Sequence, residues 1–199
     1  MYVDDASDDK SSERMRELIF TEYPEMKNKV TIVENRQRVY SLANRYKAIT
    51  QYCNEDEIII DIDADDELIG SQVLKLFNAL YQAKPDVWFI YTNNVLLQQA
   101  LRQPLMGTSQ EINSKYLAIH TLRLHLFTIS SIRSFTRKLF MKLDVDDLKE
   151  ANGSFYKWVA DYFIFMSMVE MAGPERIYFC DEMALKYYPN DNITTINAE

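Results

Sequence analysis

Apolar positions along this chain switch between two periods, and the switches predict its elements. Residues 1–3 form a stub of strand, residues 11–23 carry helical spacing with Ser11 or Ser12 as the expected cap, and residues 29–33 read as a second strand. Val39, Leu42, Ala43, Tyr46, Ile49 and Cys53 then fall on one helix face at i, i+3, i+4, i+7, i+10 and i+14. A β-branched run over 57–62 predicts the next strand, Val73, Leu76, Phe77 and Leu80 predict a helix over 73–83, and 87–91 reads as a fourth strand. Such alternation predicts an α/β fold with a mostly parallel sheet and helices on both faces. Further on, 98–114 is polar and irregular, 122–132 has room for one or two strands, and 155–171 reads as a strongly apolar helix. No linker interrupts the pattern, so one domain over 1–199 is expected.

Composition narrows the function. At 199 residues and 47% hydrophobic the chain can bury one sizeable core. Its formal charge of -8 and pI near 4.9 argue against nucleic acid or an anionic membrane as the main partner. Cys53 and Cys180 form no CxxC pair, which points away from zinc and disulfides and towards a reducing compartment. No apolar run reaches the roughly 18 residues of a membrane span, and the acidic start Met1-Tyr2-Val3-Asp4-Asp5 is unlike a signal peptide. A cytoplasmic protein is expected.

The candidate chemistry lies at the strand ends. In a parallel sheet the residues after each strand gather along one edge, where ligands bind. Here these are Asp4 and Asp5, then Glu34 and Asn35, then the run Asp61 to Asp66, then Thr92 and Asn93. Asp61, Asp63, Asp65 and Asp66 set four carboxylates within six residues, a repulsive arrangement that a hard cation such as Mg²⁺ or Mn²⁺ relieves while sharing phosphate oxygens. A solvated acidic turn is the plainer reading of that run. Carboxylates contributed by separate strand ends favour the metal and phosphate site.

Other motifs fit less well. An EF-hand loop beginning at Asp61 would need Gly at Asp66 and Glu at Gln72. Asp61-Ile62-Asp63-Ala64-Asp65 resembles the nucleophile strand of haloacid-dehalogenase-like phosphatases only in part, since Asp65 stands where Thr or Val belongs. His120 and His125 lie in apolar surroundings and read as structural or acceptor-side.

The order Tyr2-Val3-Asp4-Asp5-Ala6-Ser7-Asp8-Asp9, Glu34-Asn35-Arg36, Asp63-Ala64-Asp65-Asp66 and a later Asp161 within Trp158-Val159-Ala160-Asp161-Tyr162 resembles the GT-A glycosyltransferases of family 2. That resemblance covers nearly the whole chain. It implies the GT-A (nucleotide-diphospho-sugar transferase) fold, with 1–95 as the nucleotide-sugar-binding half and 96–199 as the acceptor and catalytic half. By the same resemblance Asp5, beside Asp4, contacts the nucleotide base, Asp63 the ribose, Asp65 holds a Mn or Mg ion on the diphosphate, and Asp161 is the general base. The implied partners are a nucleotide-sugar donor, a UDP-sugar first among them, and a glycan or other hydroxyl acceptor.

Residue chemistry agrees with those roles. A divalent ion on the diphosphate stabilises the charge that develops on the leaving group. A carboxylate in reach of the acceptor hydroxyl takes its proton, and Asp161 is the only acidic residue between Ser154 and Val169. A helix-surface Asp favoured by the helix dipole is the plainer account of it.

Departures from the family pattern add expectations. The matching begins at the family's second strand, so the fold is expected to lack its first βα unit, and the open edge invites self-association. The Q-x-x-R-W of processive members is missing, which sets polysaccharide synthesis aside. The expected function is therefore an inverting, metal-dependent transfer of a sugar from a nucleotide-diphosphate donor to an acceptor hydroxyl. A degenerate, non-catalytic nucleotide-binding remnant and a Mg²⁺-dependent phosphohydrolase with Asp61 as nucleophile are the alternatives.

Overall fold

The computed structural model describes residues 1–97, 104–125, 128–130 and 132–188. Two short strands open it: β1 (Tyr2–Asp4) and β2 (Ile32–Glu34) pair in parallel, with Val3 opposite Val33. Between them runs α1 (Ser11–Glu17), which continues as a π-helical turn over Leu18–Glu22. Neither Ser11 nor Ser12 caps that helix; Lys10 occupies the cap position in a left-handed conformation, and the Ser12 hydroxyl instead reaches Asp4. Helix α2 (Tyr40–Tyr52) follows and buries Leu42 and Ile49, two of the residues on its predicted apolar face. These elements belong to one compact unit, Met1–Asn54 with Asp144–Ile164.

The second unit comprises the described residues of Glu55–Leu143 and Phe165–Glu199. It holds β3 (Ile58–Asp61), β4 (Glu67–Leu68), α3 (Val73–Ala83), β5 (Phe89–Leu96), β6 (Leu105–Met106), α4 (Ser114–Ala118), β7 (Arg133–Thr136), α5 (Arg137–Phe140), α6 (Ser167–Ala172) and β8 (Ile177–Tyr187). Its sheet runs β3-β7-β5-β8-β4, with β6 paired to β5. Because β3 and β5 are each antiparallel to β7, and β5 is parallel to β8, the sheet is mixed: β3, β5 and β8 share one direction and β7 is inserted against them. The α/β fold is present, but its sheet is mixed where a mostly parallel one was expected: β7 runs against β3 and β5, β4 against β8, and β6 against β5.

Strand β5 is the axis of this unit. Successive strand residues face opposite ways, so Ile90 meets Val73 and Phe77 of α3, while Phe89 meets the rings of Phe135 and Phe165. Both faces of the sheet are thereby covered. Burying a side chain such as Phe77 fully stabilises the fold by about 1.5–3 kcal/mol.

Two expectations are corrected by the strand lengths. Thr92 and Asn93 do not follow the fourth strand; they lie inside β5 and are buried, as is Asn94. The Asn93 side-chain amide donates to Asp181 of β8 and its oxygen accepts the Ser109 backbone amide at 2.9 Å, so Asn93 ties the segment at Ser109 to the sheet. The helix expected over 155–171 starts only at Ala160; residues 155–159 are irregular, with Phe155 bridged to Lys149. From there it passes through a π-helical turn, Tyr162–Met166, before α6.

Candidate functional site

The first unit gathers one group of predicted residues. Since β1 and β2 run in parallel, the residues after them meet: the Asn35 amide donates to the Asp4 carbonyl at 2.9 Å, and the Asn35 side chain donates to Asp5 Oδ1 at 2.9 Å. Asp4 itself is buried. Its Oδ1 accepts the Ser7 amide at 3.2 Å and its Oδ2 the Ser12 hydroxyl at 2.9 Å, so this carboxylate braces the end of β1 against the start of α1.

Asp5 holds the start of α2. The first amides of a helix have no intrahelical partner, and Val39, at the cap position, has no side chain to supply one. Asp5 meets that need from across the unit, with Oδ1 accepting the Val39 amide and Oδ2 the Tyr40 amide, both at 2.8 Å. Burial pushes the Asp5 carboxyl up, but bonds from the Val39 amide, the Asn44 and Asn35 side chains and the Tyr40 amide outweigh it and hold it below its ordinary value.

Asp161 sits in the first turn of the helix that begins at Ala160. Its Oδ1 accepts a bond from Arg45 Nη1 at 3.0 Å; the Arg45 side chain is 12% exposed and that of Asp161 36%. Arg45 also donates to Ser41, one turn back on α2. The stretch before Asp161 is fastened to α2 by rings, Phe155 against Tyr46 at 5.3 Å and Trp158 edge-on to Tyr40 at 5.8 Å. Val159, two residues before Asp161, has φ +55°, and Tyr40, which follows the residue at the cap position of α2, has φ +69°. A positive φ at a β-branched residue is an outlier that only surrounding structure sustains, and such strain concentrates at functional positions.

The second unit carries the acidic run. Asp61 closes β3 opposite Arg133, and Asp63 to Asp66 form a turn in which the Asp66 amide donates to the Asp63 carbonyl at 3.2 Å. The turn is tied to the end of β8: Asp66 Oδ1 accepts the Tyr188 amide at 3.2 Å, and Glu67 receives Lys186 at 2.8 Å and the Tyr188 hydroxyl at 3.1 Å. Asp66 Oδ2 is buried with no hydrogen-bond partner among the described residues. Burial pushes the Asp66 carboxyl up to about 6; the Tyr188 amide opposes this, the Asp65 and Asp63 charges add to it, and Arg133 opposes it. Among the described residues no three His, Cys, Asp or Glu side chains converge as a ready cation cage.

Sequence reasoning missed Arg45, Ser12, Tyr188 and Arg133. Arg45 and Ser41 lie four apart, a spacing that signals a contact along α2, but nothing in the sequence links Arg45 to a residue over a hundred positions away. Neither histidine enters these groups; His125 stacks on Tyr116 at 3.5 Å.

The sequence model described as "Glycosyl transferase family 2" matches residues 1–144. No curated protein sequence matches. Among solved structures, the chain resembles Staphylococcus aureus TarS 1–349, with a TM-score of 0.61 and 14% identity over 94% of this chain and 50% of that one. It also resembles the mannosyltransferase PcManGT from Pyrobaculum calidifontis in complex with GDP-Man and Mn²⁺, with a TM-score of 0.55 and 17% identity over 96% of this chain and 48% of that one. This chain spans about half the length of each. At such identities the likeness carries the fold, which is GT-A. No described helix is long and apolar enough to cross a membrane.

Proposed function

Since this chain belongs to glycosyl transferase family 2, we propose that it moves a sugar from a nucleoside-diphosphate donor to an acceptor hydroxyl, with inversion at the sugar carbon. The observation that carries the reading is the Arg45–Asp161 pair, which fixes a half-exposed carboxylate at a helix start beside an exposed aromatic residue. In this step Asp161 takes the proton of the acceptor hydroxyl as that oxygen bonds to the sugar's anomeric carbon. The bond from that carbon to the donor phosphate breaks on the opposite side, and its electron pair leaves with the diphosphate. Loss of such a base costs about 10²–10⁴ in rate. Arg45 keeps the carboxylate aimed through a charge-assisted bond.

Asp63 is assigned to the ribose and Asp65 to a divalent cation. The residues present fit such an ion: Mg²⁺ takes one or two carboxylates and completes its shell with phosphate oxygens and water, so no protein cage is needed. The buried, unpartnered Oδ2 of Asp66 next to Asp65 adds an oxygen with unmet bonding capacity. When bound, the cation offsets the charge gathering on the leaving diphosphate. The neighbour in complex with GDP-Man and Mn²⁺ supports this choice of donor class and ion. Asp5 keeps free acceptor capacity on Oδ2 for the nucleotide base, whereas Asp4, buried with both oxygens engaged, braces the turn that presents Asp5. The matched family covers the whole Asp61–Asp66 run, which favours transfer over a phosphohydrolase using Asp61.

Calorimetry with GDP and UDP in the presence of Mn²⁺ tests the donor half. Binding of one of them that EDTA abolishes and Asp65→Ala weakens is expected; equal binding with and without the ion would overturn the assignment.

A further inference from the structure

Beside Asp161 the first unit presents a surface that donor binding does not explain. Trp158 is 67% exposed, although a large indole left in water forfeits the free energy its burial would give. It is fixed in place, edge-on to the Tyr40 ring, and strained Val159 separates it from Ala160 and Asp161. Two cations approach the same Tyr40 ring from different segments. The Arg38 guanidinium lies 5.9 Å from its centroid and the Lys157 ammonium 5.3 Å. Both side chains are exposed, and neither has a carboxylate partner among the described residues.

The acidic residues of the chain outnumber its basic ones by 30 to 22, and some surface cations find carboxylates: Arg16 pairs with Glu34, Arg123 with Glu170, and Lys186 with Glu67. Others are held by rings instead, as Lys84 is by Tyr178 and Arg176 by Trp88. Cation–π contacts hold Arg38 and Lys157 by the aromatic ring, worth about 0.5–1 kcal/mol each at exposed sites, and leave their charges available to an anion. An indole face with two positive groups beside it matches one class of molecule. The polarised C–H face of a sugar or polyol rests on the indole, and a negative substituent meets the cations.

Resting on the assignment of Asp161 as acceptor base, we propose that the acceptor is a saccharide or polyol bearing a negative group, a phosphate or a carboxylate, seated on Trp158 and held by Arg38 and Lys157. The charge serves two ends. In a protein of net charge -8 an anionic acceptor is repelled at long range, and local cations offset that repulsion where binding occurs. They also select: a neutral sugar gains the indole contact alone.

The test uses Trp158 as its own reporter. The chain has two tryptophans, so Trp88→Phe leaves Trp158 as the only indole, read by exciting at the red edge of the spectrum where tyrosine does not absorb. This protein is titrated with a neutral disaccharide, with the same disaccharide carrying a phosphate monoester, and with one carrying a uronate. Trp158 emission is expected to respond to a charged sugar at about tenfold lower concentration than to the neutral one, equivalent to about 1.4 kcal/mol. Raising the salt from about 0.05 M to about 0.5 M, which shortens the screening length severalfold, is expected to erase that preference. The pair Arg38→Gln and Lys157→Gln should do the same, with thermal melts confirming that the exposed substitutions leave the fold intact.

Which of the two charged sugars responds identifies the source of the charge. Equal response to neutral and charged sugars, or no response to any, overturns the proposal, as does a preference that survives the double substitution. Nucleoside-diphosphate calorimetry on the same proteins separates the failures. If the unsubstituted protein binds GDP or UDP with Mn²⁺ but shows no preference among sugars, the acceptor proposal alone fails. If it binds neither nucleotide, the donor reading fails as well. Loss of nucleotide binding on double substitution would assign Arg38 and Lys157 to the donor phosphates and overturn the proposal.

Discussion

Arg45 Nη1 lies 3.0 Å from Asp161 Oδ1, joining the middle of α2 to a carboxylate 116 positions further along the chain. The arginine is the more buried partner, so breaking the pair leaves a largely desolvated site. Charge-assisted bonds contribute about 1.5–3 kcal/mol each. Arg45→Gln is expected to lower stability in urea by an amount in that range and to lower transfer while leaving nucleotide binding unchanged. A variant as stable and as active as the parent would show that the pair neither braces the fold nor aims the base.

Asp5 gives a pH signature. Its carboxyl is held below the ordinary value in the folded state, so the ionised form contributes stability above the unfolded pKa of about 4, and that contribution is lost as pH falls through the folded value. Its bonds to the Val39 and Tyr40 amides act as a helix cap, and removing a cap costs about 1 kcal/mol. Asp5→Ala should therefore be less stable than the parent by about that much at pH 7, with the gap closing below pH about 4. Urea midpoints at pH 7, 5 and 3 measure it; a gap that stays constant would show that ionised Asp5 does not hold the helix.

The elements that announced themselves in the sequence are those with a clean period and a local origin. Helix α3 spans Val73–Ala83 as predicted because its apolar stripe needs only a sheet to lie on, and that stripe supplies Val73 and Phe77 to the core. Strands β7 and β8 were hidden by their polar residues: Arg133 and Ser134 are buried in the first, and the register of the second against β5 breaks between Thr92 and Asn94. Thr92 and Asn93 looked like a loop for the same reason, since polar side chains inside a central strand are satisfied by partners far along the chain. The candidate site was legible as a set of carboxylates. The bonding of Asp4 and Asp5 was not, because their partners are a hydroxyl and helix amides that the fold delivers.

Val159 links strain to the site. Its φ of +55° costs about 1–3 kcal/mol at a β-branched residue, and glycine takes that conformation freely while losing about 0.5–1 kcal/mol more chain entropy on folding. Val159→Gly is expected to be as stable as the parent or up to about 2 kcal/mol more so. Transfer should fall as Asp161 loses its fixed approach. Destabilisation by more than about 1 kcal/mol would mean that the side chain, which is 67% exposed, contributes more than its conformation costs.

The central claim is that Asp161 takes the proton of the acceptor hydroxyl, and Asp161→Asn addresses it most directly because it preserves shape and removes the proton acceptor. Sugar transfer from a panel of nucleotide sugars is measured by mass spectrometry for parent and variant, with nucleotide binding followed by calorimetry on the same preparations. The account predicts transfer by the parent from at least one donor, unchanged nucleotide affinity in the variant, and a loss of transfer of about 10²–10⁴-fold. Transfer undiminished in Asp161→Asn would contradict it.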